Sequence, residues 1–193
     1  MLIHSLYLLI YQTMAERKLE FMSKGRAGQA IRQGRKLLDK TQLQASLDTG
    51  YTREAIGQQE RGDYKVQPHM ARYFIENGNP WPGLEASNEY LGWGLKKLDG
   101  PAADLHRSAV KEKVIEEAQE MVSALAKMAT YKRPSTLSAF EHDNIEHGMD
   151  QSVDAVKAIL TFIAVCCEDY GLSWSDIWEE HDMKLKSRGY VMS

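Results

Sequence analysis

Residues 41–62 hold the feature that most restricts the fold: two short helical segments separated by a glycine. Thr41 is a typical N-cap residue, and Gly50 supplies a turn. Thr52 can cap a second helix, which Gly62 ends as a C-terminal glycine does. Two short helices joined in this way form the motif that lays its second helix in the major groove of DNA. The segment therefore predicts a helix-turn-helix.

A helix over about residues 25–38 precedes this pair, and its basic residues are expected to face outward. The apolar side chains of the first two helices repeat at helical spacing and are expected to fill a core: Ala27, Ile31, Leu37, Leu38, Leu43 and Leu47.

The segment from Thr41 to Gly62 resembles the XRE, or lambdoid-repressor, family of helix-turn-helix proteins. The matching positions, all at the family spacing, are Thr41, Gln42, Gly50, Thr52, Ile56, Glu60, Arg61 and Gly62. The segment departs from the family at Ala45-Ser46, at Tyr51 and at Gln59. The resemblance implies a sequence-specific regulator of transcription, of phage or mobile-element type, that binds double-stranded DNA.

The resemblance also implies which residues meet DNA. Those expected at or beside the bases are Gln42, Thr52, Arg53, Glu54 and Gln58. Arginine can hold guanine, and glutamine can hold adenine, through two hydrogen bonds each. Glu54 either accepts from cytosine or balances Arg53. The residues expected at phosphates, where they position without specifying, are Arg32, Arg35 and Lys65.

Charge is distributed unevenly along the chain. Residues 23–77 carry ten Lys and Arg against six Asp and Glu, whereas residues 105–193 carry ten against fifteen. Residues 78–104 contain two clusters of helix breakers and are expected to be a linker with at most one short helix, around residues 87–98. The sequence therefore predicts a basic helix-turn-helix domain over 23–77 and an acidic domain over 105–193.

The remaining N-terminal segment, residues 1–22, includes a ten-residue apolar run from Leu2 to Tyr11. A bilayer needs about twenty such residues, so no membrane span is expected. We expect an arm that is disordered or packs on a partner, or a translation start upstream of the true one. Cys166 and Cys167 are adjacent within an apolar run and are expected to be buried thiols, as in a cytoplasmic protein.

The acidic half is expected to form an antiparallel four-helix bundle, so that the whole chain is all-α. The four segments cover about residues 107–129, 136–147, 150–170 and 173–185. Two inner stripes are expected, on the first helix at Val114, Ala118, Met121, Leu125 and Met128, and on the last at Trp174, Ile177, Trp178, His181 and Leu185. The third helix is apolar almost all round from Ile159 to Cys167, which predicts a central position or burial between subunits of a homodimer or homotetramer.

Acidic pairs lie on two of these helices, Glu117 with Glu120 and Asp150 with Asp154. Pairs placed in this way hold divalent cations in helical bundles. The string from Lys113 to Glu120 resembles the EExxE motif of MazG-like nucleotide pyrophosphohydrolases. This resemblance implies a MazG-like bundle with Mg²⁺ as cofactor, Glu117, Glu120 and Asp154 as catalytic ligands with Asp150 as a further candidate, and the phosphate-binding residues Lys184, Lys186 and Arg188.

Three functions therefore stay open. The first is a DNA-binding regulator whose bundle oligomerises and senses a nucleotide. The second is a Mg²⁺-dependent nucleoside triphosphate pyrophosphohydrolase with an accessory DNA-binding domain. Against it, Gln151 stands where the second motif of that family, ExxD, has a glutamate. The third is an antitoxin-like DNA-binding protein whose bundle grips another protein.

Overall fold

The computed structural model describes residues 25–192, so the expected arm of residues 1–22 lies outside the described residues. The described part contains eight α-helices and no strand, which confirms the all-α prediction. The chain divides into two compact units, with the boundary between Lys96 and Lys97.

The first unit is built from five short helices. They are α1 (Arg26–Leu37), α2 (Gln42–Thr49), α3 (Arg53–Arg61), α4 (Pro68–Glu76) and α5 (Trp81–Leu91). The predicted caps of α2 and α3 are present. The Thr41 hydroxyl accepts from the backbone amide of Gln44, and the Thr52 hydroxyl accepts from that of Ala55. Gly50 and Gly62 end the two helices in the left-handed region, at φ of 73° and 78°.

The core of this unit draws on side chains from all five helices: Ala27, Ile31, Ala45, Ile56, Val66, Met70, Ala71, Phe74 and Ala86. The expectation that Leu37, Leu43 and Leu47 fill this core was wrong, because their exposed fractions are 67%, 59% and 79%. On α2 the inward residue is Ala45. At about 100° per residue, a residue two positions away points to nearly the opposite side.

The predicted linker also needs correction, because α5 lies within residues 78–104 and packs on α1 and α4. Trp81 is 2% exposed, and Glu85 forms an ion pair of 3.0 Å with Arg26 of α1. Pro80 and Pro82, which suggested a break, stand at the start of the helix instead. Proline is tolerated there because the first backbone amides of a helix have no partner within it.

A close approach between α1 and α3 depends on Gly28. A β-carbon at this position would collide with the backbone carbonyl oxygen of Gln59 and would crowd that of Glu60. Backbone atoms cannot swing aside as a flexible side chain can. Gly28 therefore sets how closely the C-terminal half of α3 lies against α1.

We predict that Gly28→Ala destabilises the chain by about 1–3 kcal/mol, the usual cost of overpacking. At an ordinary position within a helix the same change stabilises by about 1 kcal/mol, so the sign is diagnostic. Urea denaturation followed by circular dichroism measures the free energy of unfolding. Gln29→Ala, at the exposed neighbouring residue, is the control and should change it little. A stabilised Gly28→Ala variant would contradict the packing described.

The second unit contains three α-helices rather than the four expected. They are α6 (Arg107–Leu125), α7 (Ala139–Tyr170) and α8 (Trp174–Ser187), with a 3-10 turn over Pro134–Thr136. The segments expected at residues 136–147 and 150–170 form one helix of 32 residues. Gly148 lies inside this helix, where it packs against the side chain of Met128.

Burial in this unit also differs from the expected stripes. The buried residues of α6 are Val110, Glu117 and Ala124, whereas Leu125 is 39% exposed. Helix α8 has no buried residue, so the expected inner position of His181 was wrong. Cys167 is buried, Cys166 is partly buried, and neither forms a disulfide. Burial raises the pKa of both thiols. None of the described helices has the length and apolar character that a membrane crossing requires.

Candidate nucleic-acid interface

Helix α3 presents a polar outer face. Glu54, Gln58 and Arg61 follow one another at spacings of four and three residues, and Arg53 lies at the N-terminal end of the helix. Arg53 and Glu54 are exposed, and Gln58 is partly exposed. Within the part of the chain that the structure describes, the side chains of Arg53 and Glu54 make no hydrogen bond or ion pair. They are therefore available to a ligand.

The opposite face of α3 is fixed in the core. Ile56 is 1% exposed, and Gln59 is buried although it is polar. The carbonyl oxygen of the Gln59 side chain accepts from the backbone amide of Gln67 at 2.8 Å. Its amide nitrogen donates to the carbonyl oxygen of Ala55 at 3.4 Å. The polar residue at a commonly apolar position is therefore satisfied, and it ties α3 to the start of α4.

Glu60 connects the first three helices. Its carboxylate accepts from Arg35 of α1 at two atoms, from Nε at 2.5 Å and from Nη2 at 3.0 Å. It also accepts from the side-chain amide of Gln42 of α2 at 2.9 Å. The Nη1 atom of Arg35 donates in addition to the backbone carbonyl of Lys40 at 2.7 Å. Two-pronged pairing of this kind holds both side chains in one geometry.

The electrostatics keep this carboxylate ionised. Burial alone raises the pKa of Glu60, but the hydrogen bonds from Arg35 and Gln42 outweigh burial and hold the pKa below its ordinary value of 4.5. The hydrogen bond to Glu60 correspondingly raises the pKa of Arg35. The pair is thus fully charged at neutral pH.

A groove of about 310 Å³ opens beside this ion pair. It is lined by Arg32, Arg35, Gln42, Gly57, Glu60 and Arg61. Its three guanidinium groups outnumber its one carboxylate, so the lining is net positive. A β-carbon on Gly57 would come within 3.2 Å of Arg61 and 3.7 Å of Gln42, so the glycine keeps the groove open. The groove suits an anion at its rim.

The structure assigns several of the expected DNA-binding side chains to internal contacts. Arg35 and Gln42 are held by Glu60 as described, and the Thr52 hydroxyl caps α3. The ammonium group of Lys65 donates to the backbone carbonyl of Glu89 at 3.2 Å and lies 4.9 Å from the ring centre of Tyr90. Of the three expected phosphate contacts, Arg32 is exposed and makes no hydrogen bond among the described residues.

Two features of this unit were not expected from the sequence. The first is Arg61, which lines the groove and pairs with Asp63 at 2.8 Å. Arg61 lies in the last turn of α3, seven residues after Glu54 and therefore on the same face of the helix, and this spacing could have indicated its place beside the polar face. The second is a contact between Lys40, Asp48 and Tyr73, in which Lys40 bonds to the Asp48 carboxylate at 2.5 Å and to the Tyr73 hydroxyl at 2.8 Å. It fastens α2 to α4 and has no local sequence signal.

The expected metal ligands of the second unit do not form one cluster. No three of Glu117, Glu120, Asp150 and Asp154 bring ligand atoms within 4.8 Å of one another in the described residues. The carboxylate of Glu117 is buried against the ammonium group of Lys113 at 2.7 Å. Hydrogen bonds to Glu117 and Glu116 raise the pKa of Lys113.

The residues present therefore do not fit Mg²⁺, since Glu117 is neutralised by a lysine and a neutral amide stands at Gln151. The candidate phosphate residues Lys184, Lys186 and Arg188 are all exposed at the C-terminal end of α8. One cluster of metal-binding residue types does occur, at His142, Asp143 and Glu146, but all three are exposed.

Comparisons with protein-family models, with curated proteins and with solved structures find no match for this chain.

We predict that Glu60→Gln destabilises the chain by about 1.5–3 kcal/mol at pH 7, the value of a hydrogen bond to a charged group. The pKa of Glu60 is lowered on folding, so its stabilisation is present above pH 4.5 and is lost as the pH falls through the lowered pKa. The difference in unfolding free energy between the variant and the wild type should therefore be smaller at pH 3 than at pH 7, as measured by urea denaturation at both pH values. The exposed Glu54→Gln serves as the control. A difference of equal size at both pH values would show that the charge of Glu60 contributes nothing.

Proposed function

We propose that this protein is a sequence-specific DNA-binding regulator of transcription that places α3 in the major groove. The observation that carries the proposal is the two-sided character of α3. Its inner face is locked in the core by Ile56, Gln59 and Glu60, while Arg53 and Glu54 stand exposed without partners in the described chain. Rigid presentation of unpaired polar groups is what base recognition requires.

The dimensions of α3 agree with this role. An α-helix with its side chains is about 10–12 Å across, and the major groove of B-DNA is about 12 Å wide. Arg53 can donate two hydrogen bonds to guanine, and Gln58 can pair with adenine through its amide. Glu54 can accept from cytosine. The resemblance of residues 41–62 to the XRE family supports the same placement of these side chains.

Phosphate contact is assigned to the rim of the groove beside α3. Arg32 is exposed there, and among residues 25–192 the ion pair of Arg61 is an exposed one with Asp63. Exposed pairs of this kind contribute little to stability, so the guanidinium of Arg61 can exchange Asp63 for a phosphate at small cost. Such contacts supply affinity that falls with salt, while the bases supply specificity.

The proposed regulator acts as a homo-oligomer. One helix-turn-helix contacts too few bases to find a single site in a genome, and two copies on half-sites one helical turn apart multiply the discrimination. We assign the oligomer contact to the second unit, whose helices leave large apolar side chains exposed, including Val122 at 61% and Val156 at 54%. Nucleotide hydrolysis receives no comparable support, because the acidic residues do not fit the metal.

We predict that selection from random duplex DNA with the full chain enriches one sequence motif. Arg53→Ala should discriminate less between the preferred base and the other bases at one position of that motif. The expected loss is about 1–3 kcal/mol at one base pair, with smaller loss on unrelated DNA. Fluorescence anisotropy on the selected duplex and on single-base variants measures this change. Arg32→Ala should instead weaken binding to all duplexes alike and lower the salt slope by about one.

Arg72→Ala is the matched control, because Arg72 is an exposed arginine of the same unit that lies on α4, outside the groove. It should bind as the wild type does. No enriched motif, or wild-type affinity in Arg53→Ala combined with Gln58→Ala at moderate salt, would rule out recognition through α3.

A further inference from the structure

Helix α7 carries an apolar stripe that no other described residue covers. Met149, Val153 and Val156 are 51%, 50% and 54% exposed, and the partly exposed Leu160 extends the row. The spacing of four, three and four residues is that of a coiled-coil seam. The opposite side of the same stretch is occupied, because Gly148 meets Met128 and Ala155 is buried. Half of α7 thus faces α6, and the other half lacks a partner.

Helix α6 has a similar stripe at Ile115, Val122 and Leu125, which are 43%, 61% and 39% exposed. At about 100° per residue, this stripe lies about 130° from the buried face of α6, and the stripe of α7 lies about 120° from its own buried face. Both rotations have the same hand when each helix is viewed from its N-terminus. Because the two helices are antiparallel, both stripes emerge on the same side of the hairpin.

The register of the hairpin places the middles of the two stripes at one height. Met128 lies against Gly148 at one end, and Arg107 pairs with Asp169 at 3.6 Å at the other. Counting inward from both contacts sets Val122 level with Asp154, near the centre of each stripe. The exposed apolar side chains therefore form one continuous surface across two helices, the kind that marks a protein interface.

We propose that a second copy of this chain covers this surface, with α7 of one copy packed antiparallel against α7 of the other. The two hairpins then form a four-helix bundle between subunits, in which Val153 packs against Val156 of the second copy and Met149 against Leu160. This proposal rests on the proposed function in one respect: a DNA-binding regulator that acts as a dimer needs a second copy of itself as its partner.

Charge complementarity selects the second copy and this orientation. Asp150 and Lys157 are exposed, flank the seam on one edge and are seven residues apart. Neither makes an ion pair within the described part of the chain. In an antiparallel pairing with Val153 opposite Val156, Asp150 of each copy faces Lys157 of the other, which gives two symmetric ion pairs. A parallel pairing of α7 with itself sets Lys157 opposite the neutral Ser152 and gives none.

The other two-fold arrangement sets α6 of one copy against α7 of the other. The register of the hairpin then places Lys157 level with Gln119 and Asp150 level with Ala126. Neither of these partners is charged, so this arrangement leaves both groups unpaired. The two arrangements bury the same apolar side chains but differ in the effect of reversing a charge.

Sedimentation equilibrium of the full chain without DNA tests the proposal separately from DNA binding. We expect the wild type to be a dimer at micromolar concentration. Asp150→Lys and Lys157→Asp should each weaken dimerisation about tenfold at low salt, because each creates two like-charge contacts per dimer. The double variant should recover the wild-type affinity. A mixture of the two single variants should form a heterodimer tighter than either homodimer, because opposite charges then meet at both contacts.

Asp154→Lys is the matched control, since it makes the same charge change on the same helix but away from the seam. All three substituted positions are exposed, and circular dichroism checks that the helices are retained in each variant. A monomeric wild type at 100 times the protein concentration used for DNA binding would overturn the proposal. So would a dimer that both single reversals leave unchanged, because that result indicates the arrangement of α6 against α7.

Discussion

The ion pair between Arg35 and Glu60 is the interaction on which the first unit depends. It joins α1 to α3, and Gln42 brings α2 to the same carboxylate. A buried carboxylate is costly unless it is paired and hydrogen-bonded, and here three donors from two other helices satisfy it. This one charged group thus helps to hold α1, α2 and α3 in their arrangement.

The exposed face of α3 is a consequence of how its other face is held. Gly28 lets α1 approach the backbone at Gln59 and Glu60, Ile56 fills the core, and Gln59 is anchored to Gln67. A helix of nine residues is barely stable alone, so these tertiary contacts supply its rigidity. Because these contacts occupy the inner face of α3, Arg53 and Glu54 on its outer face are exposed to solvent and available to a ligand.

Sequence reasoning found α2 and α3 because the ends of these helices carry local signals, whereas α4 was not predicted and α5 was expected further along the chain. Thr41, Thr52, Gly50 and Gly62 act within one turn of their own position, so caps and turns can be recognised without knowledge of the fold. It failed where partners are distant in the chain. The apolar residues Leu43 and Leu47 suggested a core face that Ala45 occupies, and the two segments expected at residues 136–147 and 150–170 form one continuous helix.

The sequence by itself determined that the chain is helical, where α1, α2 and α3 begin and end, and which polar residues α3 carries. Only the tertiary structure decided which of those polar residues are used internally. Arg35 and Arg32 are the same residue type on the same helix, yet Arg35 is held by Glu60 and Arg32 is exposed. The reason is physical: a side chain is available for binding only if no neighbour in space satisfies it, and neighbours in space are set by the packing of helices far apart in the chain.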